Sequence, residues 1–230
     1  MKKTTLLVLD TETCSIEACD CVKRGNNLTY NIGYSIVTPC DGKILLSRSY
    51  IVNEIFFGER ERMASCYYAE KIPQYLEGLW TGDYIAADFF SILTEIIRLC
   101  DEYNITAICA HNAAFDVDAL NTTARYLTGL DYLRALPDNV EIWDSLKMAN
   151  SIFGKRPTYR KYCIDNGFMT KHATPRPRMT AEILYRFIMD DISFEEEHTA
   201  LADVTIEIEI ILACYRSHQP FEKVLYPAAL

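Results

Sequence analysis

Four consecutive apolar residues, Leu6-Leu7-Val8-Leu9, run straight into Asp10-Thr11-Glu12. A short unbroken apolar run reads as a buried strand, which needs packed layers on both sides of its sheet. Asp10 is therefore an acid at the mouth of a buried strand. Side chains two apart on a strand share a face, so Asp10 and Glu12 are expected to project together beyond the sheet edge.

The rest of the chain supplies the layers. Residues 30–37 and 44–52 read as strands, with Pro39-Cys40-Asp41-Gly42 as the hairpin turn between them, so the chain opens as a three-stranded meander. Between the first two strands the sequence is polar, with Arg24-Gly25-Asn26-Asn27 as turn material. Residues 53–87, broken by Pro73, give no clear pattern. Residues 89–103 form an amphipathic helix with Phe89, Ile92, Leu93, Ile96, Ile97 and Leu99 apolar. Strands are expected at 105–110 and 140–143, and helices at 113–127, 145–153, 179–189 and 199–215. This order predicts an α/β fold, a mixed five-stranded sheet with flanking helices. Nothing resembling a linker divides the 230 residues, so one domain over 1–230 is expected, its core about 4–216 with a short C-terminal tail.

Half of the residues are hydrophobic, which supports a packed core and argues against disorder. The net charge of −9 disfavours a passive nucleic-acid binder, which would carry a basic surface. An enzyme whose acidic site is filled by divalent cations escapes that objection, because the ions supply the local positive charge. The apolar run at the N-terminus is too short for a signal peptide or a membrane span. The nine cysteines form no CxxC pair, and their odd number fits free thiols in a reducing cytoplasm, bacterial or of an infected host. Cys14, Cys19 and Cys21 have the wrong spacing for a zinc knuckle.

Three acidic motifs carry the chemistry. Asp10 and Glu12 repel each other unless a cation sits between them, and such hard oxygen ligands suit Mg²⁺ or Mn²⁺. The spacing alone is common, since Glu59-Arg60-Glu61 and Glu207-Ile208-Glu209 share it. The second motif is His111-Asn112-Ala113-Ala114-Phe115-Asp116, where a buried strand ends and a helix begins. Asn112 is expected to cap that helix, and Asp116 falls in its first turn, where the dipole favours a charged carboxylate. Asp118 lies about 200° further round the helix, so at most one of the two joins a site. The third motif is His198-Thr199-Ala200-Leu201-Ala202-Asp203, after the acidic stretch Glu195-Glu196-Glu197. Five helical positions turn about 500°, a poor match for one face. His198 therefore belongs in the loop before the helix, bent back over its first turn, with Thr199 as the cap. Alone, His198 reads equally as a surface histidine whose acidic neighbours raise its pKa.

With these motifs in order, the chain resembles the DEDDh exonucleases, relatives of the proofreading exonucleases that include ribonuclease T and oligoribonuclease. The resemblance spans roughly residues 5–215, and Gly33 and Trp143-Asp144-Ser145-Leu146-Lys147-Met148-Ala149 are similar too. Residues 158–163 and 180–185 resemble exonuclease-like proteins of tailed bacteriophages. The chain departs from the family at Cys14, where many relatives have glycine, and over residues 53–87.

The resemblance implies a ribonuclease H-like fold and a 3′–5′ exonuclease of DNA or RNA that releases nucleoside 5′-monophosphates. It implies two Mg²⁺ or Mn²⁺ ions held by Asp10, Glu12, Asp116 and Asp203, and His198 as general base. Thr11, Thr13, Asn112 and Phe115 are expected to touch substrate. Residues 155–178 carry Lys155, Arg156, Arg160, Lys161, Lys171, Arg176 and Arg178 against Asp165, which reads either as a phosphate track or as a solvated surface loop. In the first case Arg176 and Arg178 join the substrate contacts. Asp144 is expected to serve structure rather than the metals. The partner expected is nucleic acid with a free 3′ end, single-stranded, with no membrane; a homodimer or a polymerase are the protein partners left open. The rival reading is a catalytically silent module of the same fold that binds nucleic acid or a polymerase.

Overall fold

The computed structural model describes residues 4–16 and 25–229. Cys19, Cys21 and Arg24 lie outside the described residues, so the cysteine triplet and the start of the first turn are not addressed by it. In chain order the strands and helices are β1 Leu6–Ser15, β2 Asn27–Thr38, β3 Lys43–Val52, α1 Asn53–Phe56, α2 Arg60–Ala64, α3 Ile72–Thr81, β4 Ile85–Ala87, α4 Phe89–Glu102, β5 Ala107–Ala110, α5 Ala114–Thr128, β6 Glu141–Asp144, α6 Ser145–Ile152, α7 Pro157–Asp165, α8 Ala181–Met189, α9 Ala200–Arg216 and β7 Val224–Tyr226. They build a sheet of order β4-β3-β2-β1-β5-β6-β7.

The meander expected from the sequence forms its centre. β1–β2 and β2–β3 pair antiparallel, whereas β5 joins β1 and β6 joins β5 in parallel. The five expected strands occupy five adjacent places, and the three-residue strands β4 and β7 extend the sheet at its edges. β2 is buried along its whole length, as a central strand covered on both faces must be.

Alternation along β1 divides the core. Leu7 and Leu9 enter the cluster that packs with α4 and α5, while Leu6 and Val8 enter the one beneath α6, α7, α8 and α9. β5 pairs with β1 only from Leu6 to Val8. β1 runs on to Ser15 against β2, so Asp10 and Glu12 lie within the strand rather than beyond the sheet. They stand where β1 outlasts its parallel neighbour, beyond the last β1–β5 pair at Val8. Among the described residues no helix is long and apolar enough to cross a membrane.

Candidate active site

The start of α9 lies directly on the sheet, against the strand that pairs with Asp10. Asp10 is in register with Gly33 of β2. A Cβ at Gly33 would lie 2.3 Å from Leu201 N and 2.4 Å from the Ala200 carbonyl carbon, so any larger residue would lift the helix away. Asn31, buried two residues earlier, accepts the Ala200 N–H at 3.0 Å and donates to the Tyr50 carbonyl at 2.8 Å. The cap of α9 therefore comes from β2; Thr199 holds the N-cap position without a side-chain hydrogen bond. Asp203 follows one turn in, and its carboxylate meets those of Asp10 and Glu12, with oxygens of all three within 4.8 Å of one another.

Asp116 enters from the opposite face. It lies in the first turn of α5, and its Oδ1 accepts the Thr11 N–H at 3.1 Å and the Thr11 hydroxyl at 2.9 Å. Thr11 thus couples the first motif to the second, with its hydroxyl turned to Asp116. Asn112 does not cap the helix with its side chain: Ala113 is the N-cap residue and Asn112 takes φ 63°, a left-handed turn that asparagine tolerates. Its N–H is donated to Asp144 Oδ1 at 3.0 Å, and that oxygen also caps α6 through Leu146 N at 2.9 Å. Asp144 thus serves structure, as expected. Asp118 points elsewhere and accepts the Gly25 N–H at 2.8 Å.

His198 precedes α9 with φ 53°, the bend its spacing required. Its ring stacks on Tyr68, with centroids 4.7 Å apart and planes at 19°. Nδ1 lies 3.6 Å from Glu196 Oε2. Glu196, His198 and Asp203 form a second set of ligand atoms within 4.8 Å of one another. Burial and the nearby Lys71 ammonium pull the His198 pKa below its ordinary value, against the upward shift expected of a surface histidine among acids. Lys71 also donates to the Glu197 carbonyl, and Gln74 to the Glu197 carboxylate at 2.6 Å, so the rim built from 53–87 fastens the loop that carries His198.

Burial dominates the electrostatics. It pushes Glu12 up to about 8, with Glu196 adding to the shift. Asp203 rises to about 9 through burial, then Glu196 and Glu12. Asp116 rises to about 7 through burial, despite the opposing hydrogen bonds from Thr11. Asp10 is raised well above the carboxylate range by burial and then by Asp116, Glu207 and Asp203. Glu196 reaches about 7, again through burial first. Acids crowded in this way either hold protons or share a cation. Asp203 Oδ1 is buried with no hydrogen-bond partner, an oxygen that a bound ion would satisfy.

Asp203 thus belongs to both ligand groups, with Asp10 and Glu12 in one and His198 in the other, and Asp116 is tied to Thr11 beside them. Thr13 follows the bulge after Glu12, Phe115 is half-buried at the start of α5, and Asn112 is exposed beside it. Arg176 and Arg178 are exposed and touch none of the acids. Their backbone is fixed: the Arg178 carbonyl accepts the Tyr159 hydroxyl at 2.6 Å, and Thr170 N donates to the Arg176 carbonyl at 2.8 Å. Part of the basic stretch is helical, as α7, where Lys161 pairs with Asp165.

Three residues at the centre have no place among the expected ones. Glu207 sits one turn after Asp203, and its Oε1 accepts the His111 N–H at 2.9 Å. Four-residue spacing on a helix placed it beside Asp203, a signal hidden by the commonness of the Glu-x-Glu pattern. Glu196 belonged to an acidic run that gave no reason to favour one member. His111 is half-buried, with Nε2 2.8 Å from the Met179 carbonyl and Nδ1 2.9 Å from Ser145 Oγ. A carbonyl can only accept, so Nε2 carries a proton, and burial lowers the His111 pKa below its ordinary value. His111 thereby ties the segment after Arg178 to the acidic centre.

No protein-family model matches the sequence, and no curated protein matches it. Solved structures do. A 3′-exonuclease studied for 3′-end-specific recognition of histone mRNA stem-loop superposes with a TM-score of 0.61 at 9% identity, over 95% of this chain and 84% of that one. The nuclease domain of 3′hExo, a DEDDh family member bound to rAMP, gives 0.54 at 9% identity over 98% of each chain. The fold is that of the 3′-exonucleases. Escherichia coli Exonuclease I in complex with a dA16 oligonucleotide shares it as well, with a TM-score of 0.52 at 13% identity, over 91% of this chain and 41% of that one. The exonuclease fold accounts for the mixed sheet and flanking helices, and it is the ribonuclease H-like architecture expected from the sequence.

Proposed function

We propose that this protein is a metal-dependent 3′–5′ exonuclease, its 230 residues acting as one catalytic domain on single-stranded DNA or RNA. The observation that carries the reading is the convergence of Asp10, Glu12 and Asp203 within 4.8 Å, with Asp116 locked beside them by Thr11 and His198 arched over Asp203. The donor set fits hard divalent cations, Mg²⁺ or Mn²⁺, and the unpartnered Asp203 Oδ1 is an oxygen free to bind one. Asp10, Glu12 and Asp203 would hold the first ion, with Asp10 and Asp116 on the second. When bound, two such ions would stabilise the attacking and leaving oxygens of an in-line displacement.

The chain's own groups do the rest. His198 Nε2 takes the proton from the attacking water, while Tyr68 and Glu196 hold the imidazole in place. Water oxygen bonds to phosphorus, the bond from phosphorus to the 3′ oxygen breaks, and a nucleoside 5′-monophosphate leaves. Thr13, Asn112 and Phe115 would contact the terminal nucleotide. Arg176 and Arg178 meet phosphates further along the strand, held near the centre through the Met179–His111 contact. Free thiols at all seven described cysteines suit a cytoplasmic setting.

Oligonucleotides labelled at the 5′ end, of DNA and of RNA, with free or blocked 3′ ends, test this in Mg²⁺, Mn²⁺ or EDTA. The wild type should shorten free 3′ ends only with metal. Asp10→Ala should abolish turnover while leaving the fold intact, and His198→Ala should lower kcat by about 10²–10⁴. Unaltered turnover in Asp10→Ala would refute the reading, and a wild type that binds the strands but never cuts them would favour the silent module.

A further inference from the structure

Glu207 is the residue of this centre that the exonuclease reading leaves without a role. It lies one helical turn after Asp203 on α9, so both carboxylates leave the same face of the helix. Only 2% of Glu207 is exposed. One oxygen, Oε1, accepts the His111 N–H at 2.9 Å. The other, Oε2, is buried with no partner at all. The charged groups it faces are acids: Asp116 first, then Asp203 and Glu196, with Asp10 feeling it in return. No lysine or arginine pairs with it among the described residues.

Neither protonation state satisfies this group with what surrounds it. As a neutral acid its O–H would have no acceptor, and as a carboxylate its charge would have no cation. A buried orphan oxygen aimed among acids calls for a positive guest. Glu207 is not among the ligand atoms gathered within 4.8 Å around Asp10 or Asp203, so it does not share those ions directly. It faces Asp116 first, on the side where Asp10 and Asp116 would hold the second ion. The Asp116 carboxylate spends Oδ1 on Thr11, which leaves that side short of free oxygens.

We propose that Glu207 Oε2 is a further acidic ligand of the metal centre, holding the ion on the Asp116 side through an intervening water. This rests on the exonuclease reading above and extends it by one residue. The backbone bond from His111 fixes the carboxylate, so Glu207 also links that ion to the strand end at β5 and, through the His111 ring, to the segment behind Arg178.

Calorimetric titration of the purified chain with Mn²⁺ alone, without substrate, tests it. Glu207→Gln keeps an oxygen for the His111 N–H and removes the charge, and Glu209→Gln, half-buried two residues further along α9 beside Arg216, is the control. The wild type and Glu209→Gln should bind two ions, whereas Glu207→Gln should bind the weaker of the two about 10–100-fold less tightly. If Glu207→Gln does not fold, Glu207→Asp, which retracts the charge by one methylene, should show the same selective loss. Two ions bound by Glu207→Gln as tightly as by the wild type would overturn this inference alone. A wild type that binds no Mn²⁺ would overturn the exonuclease reading along with it.

Discussion

Glu95 on α4 and Glu207 on α9 reach toward opposite faces of the same sheet and meet opposite company. Glu95 receives two hydroxyls, from Tyr34 at 2.8 Å and from Tyr50 at 2.5 Å, one on each of its oxygens. Glu207 receives one backbone N–H and keeps a buried oxygen with nothing to bind, among other acids. The same helix-to-sheet packing thus carries a carboxylate that arrives with its donors and one that arrives without them. The first serves the fold. The second, with Asp203 Oδ1 beside it, makes sense only with a ligand that the chain does not itself supply.

Breaking the satisfied side should cost stability and spare chemistry. Glu95→Ala leaves two buried tyrosine hydroxyls without an acceptor, and an unsatisfied buried group costs about 1–3 kcal/mol. Urea unfolding should therefore show a loss of about 2–4 kcal/mol, with kcat per folded molecule unchanged. A comparable loss of kcat with stability intact would mean that Glu95 belongs to the working side after all.

A smaller effect is expected at the edge of the working side. Arg176 and Arg178 carry no ion pair with the described residues, unlike Lys161 of the same basic stretch, which is spent on Asp165. Replacing both by alanine should weaken single-strand binding by about tenfold at low salt and reduce the slope of log K against log salt by about 1–2, read by fluorescence anisotropy. KM should rise while kcat holds. Unchanged binding at every salt concentration would make the stretch a solvated surface, the alternative its sequence left open.

The two sides were also unequally legible. The centre could be read because strand and helix periodicity fixed where its acids point: Leu6 and Val8 set the parity that carries Asp10 and Glu12 toward α9, and Asn112 marked the turn that presents Asp116. What periodicity does not encode is which distant residue supplies a missing partner. Hence the cap of α9 came from Asn31 rather than Thr199, and the Asn112 N–H went to Asp144. Glu207 was invisible for the same reason, since its meaning lies in the absence of a donor. The rim over 53–87 resisted reading because its helices are short and tertiary packing selects their residues. Gly78 sits inside α3, where a Cβ would strike the Tyr84 ring at 2.2 Å, so a residue that argues against helix is there for space. α7 buries only Tyr159 and Cys163, too narrow a stripe to betray a helix, and β4 and β7 are three residues each, formed by edge pairing.

Thermal unfolding of the metal-free protein across pH tests most directly whether the acids of the site await a cation. Folded Asp116, Glu12 and Asp203 keep their protons up to about 7, 8 and 9, above the ordinary carboxylate range near ~4. The folded state therefore binds more protons than the unfolded one. Their contribution is fully present below the unfolded pKa and is lost as pH climbs through those values. Tm should fall from about pH 4 to about pH 9 without metal, and Mn²⁺ should restore it most at the alkaline end, where it replaces the departed protons. A Tm that stays level across this window and ignores Mn²⁺ would contradict the account.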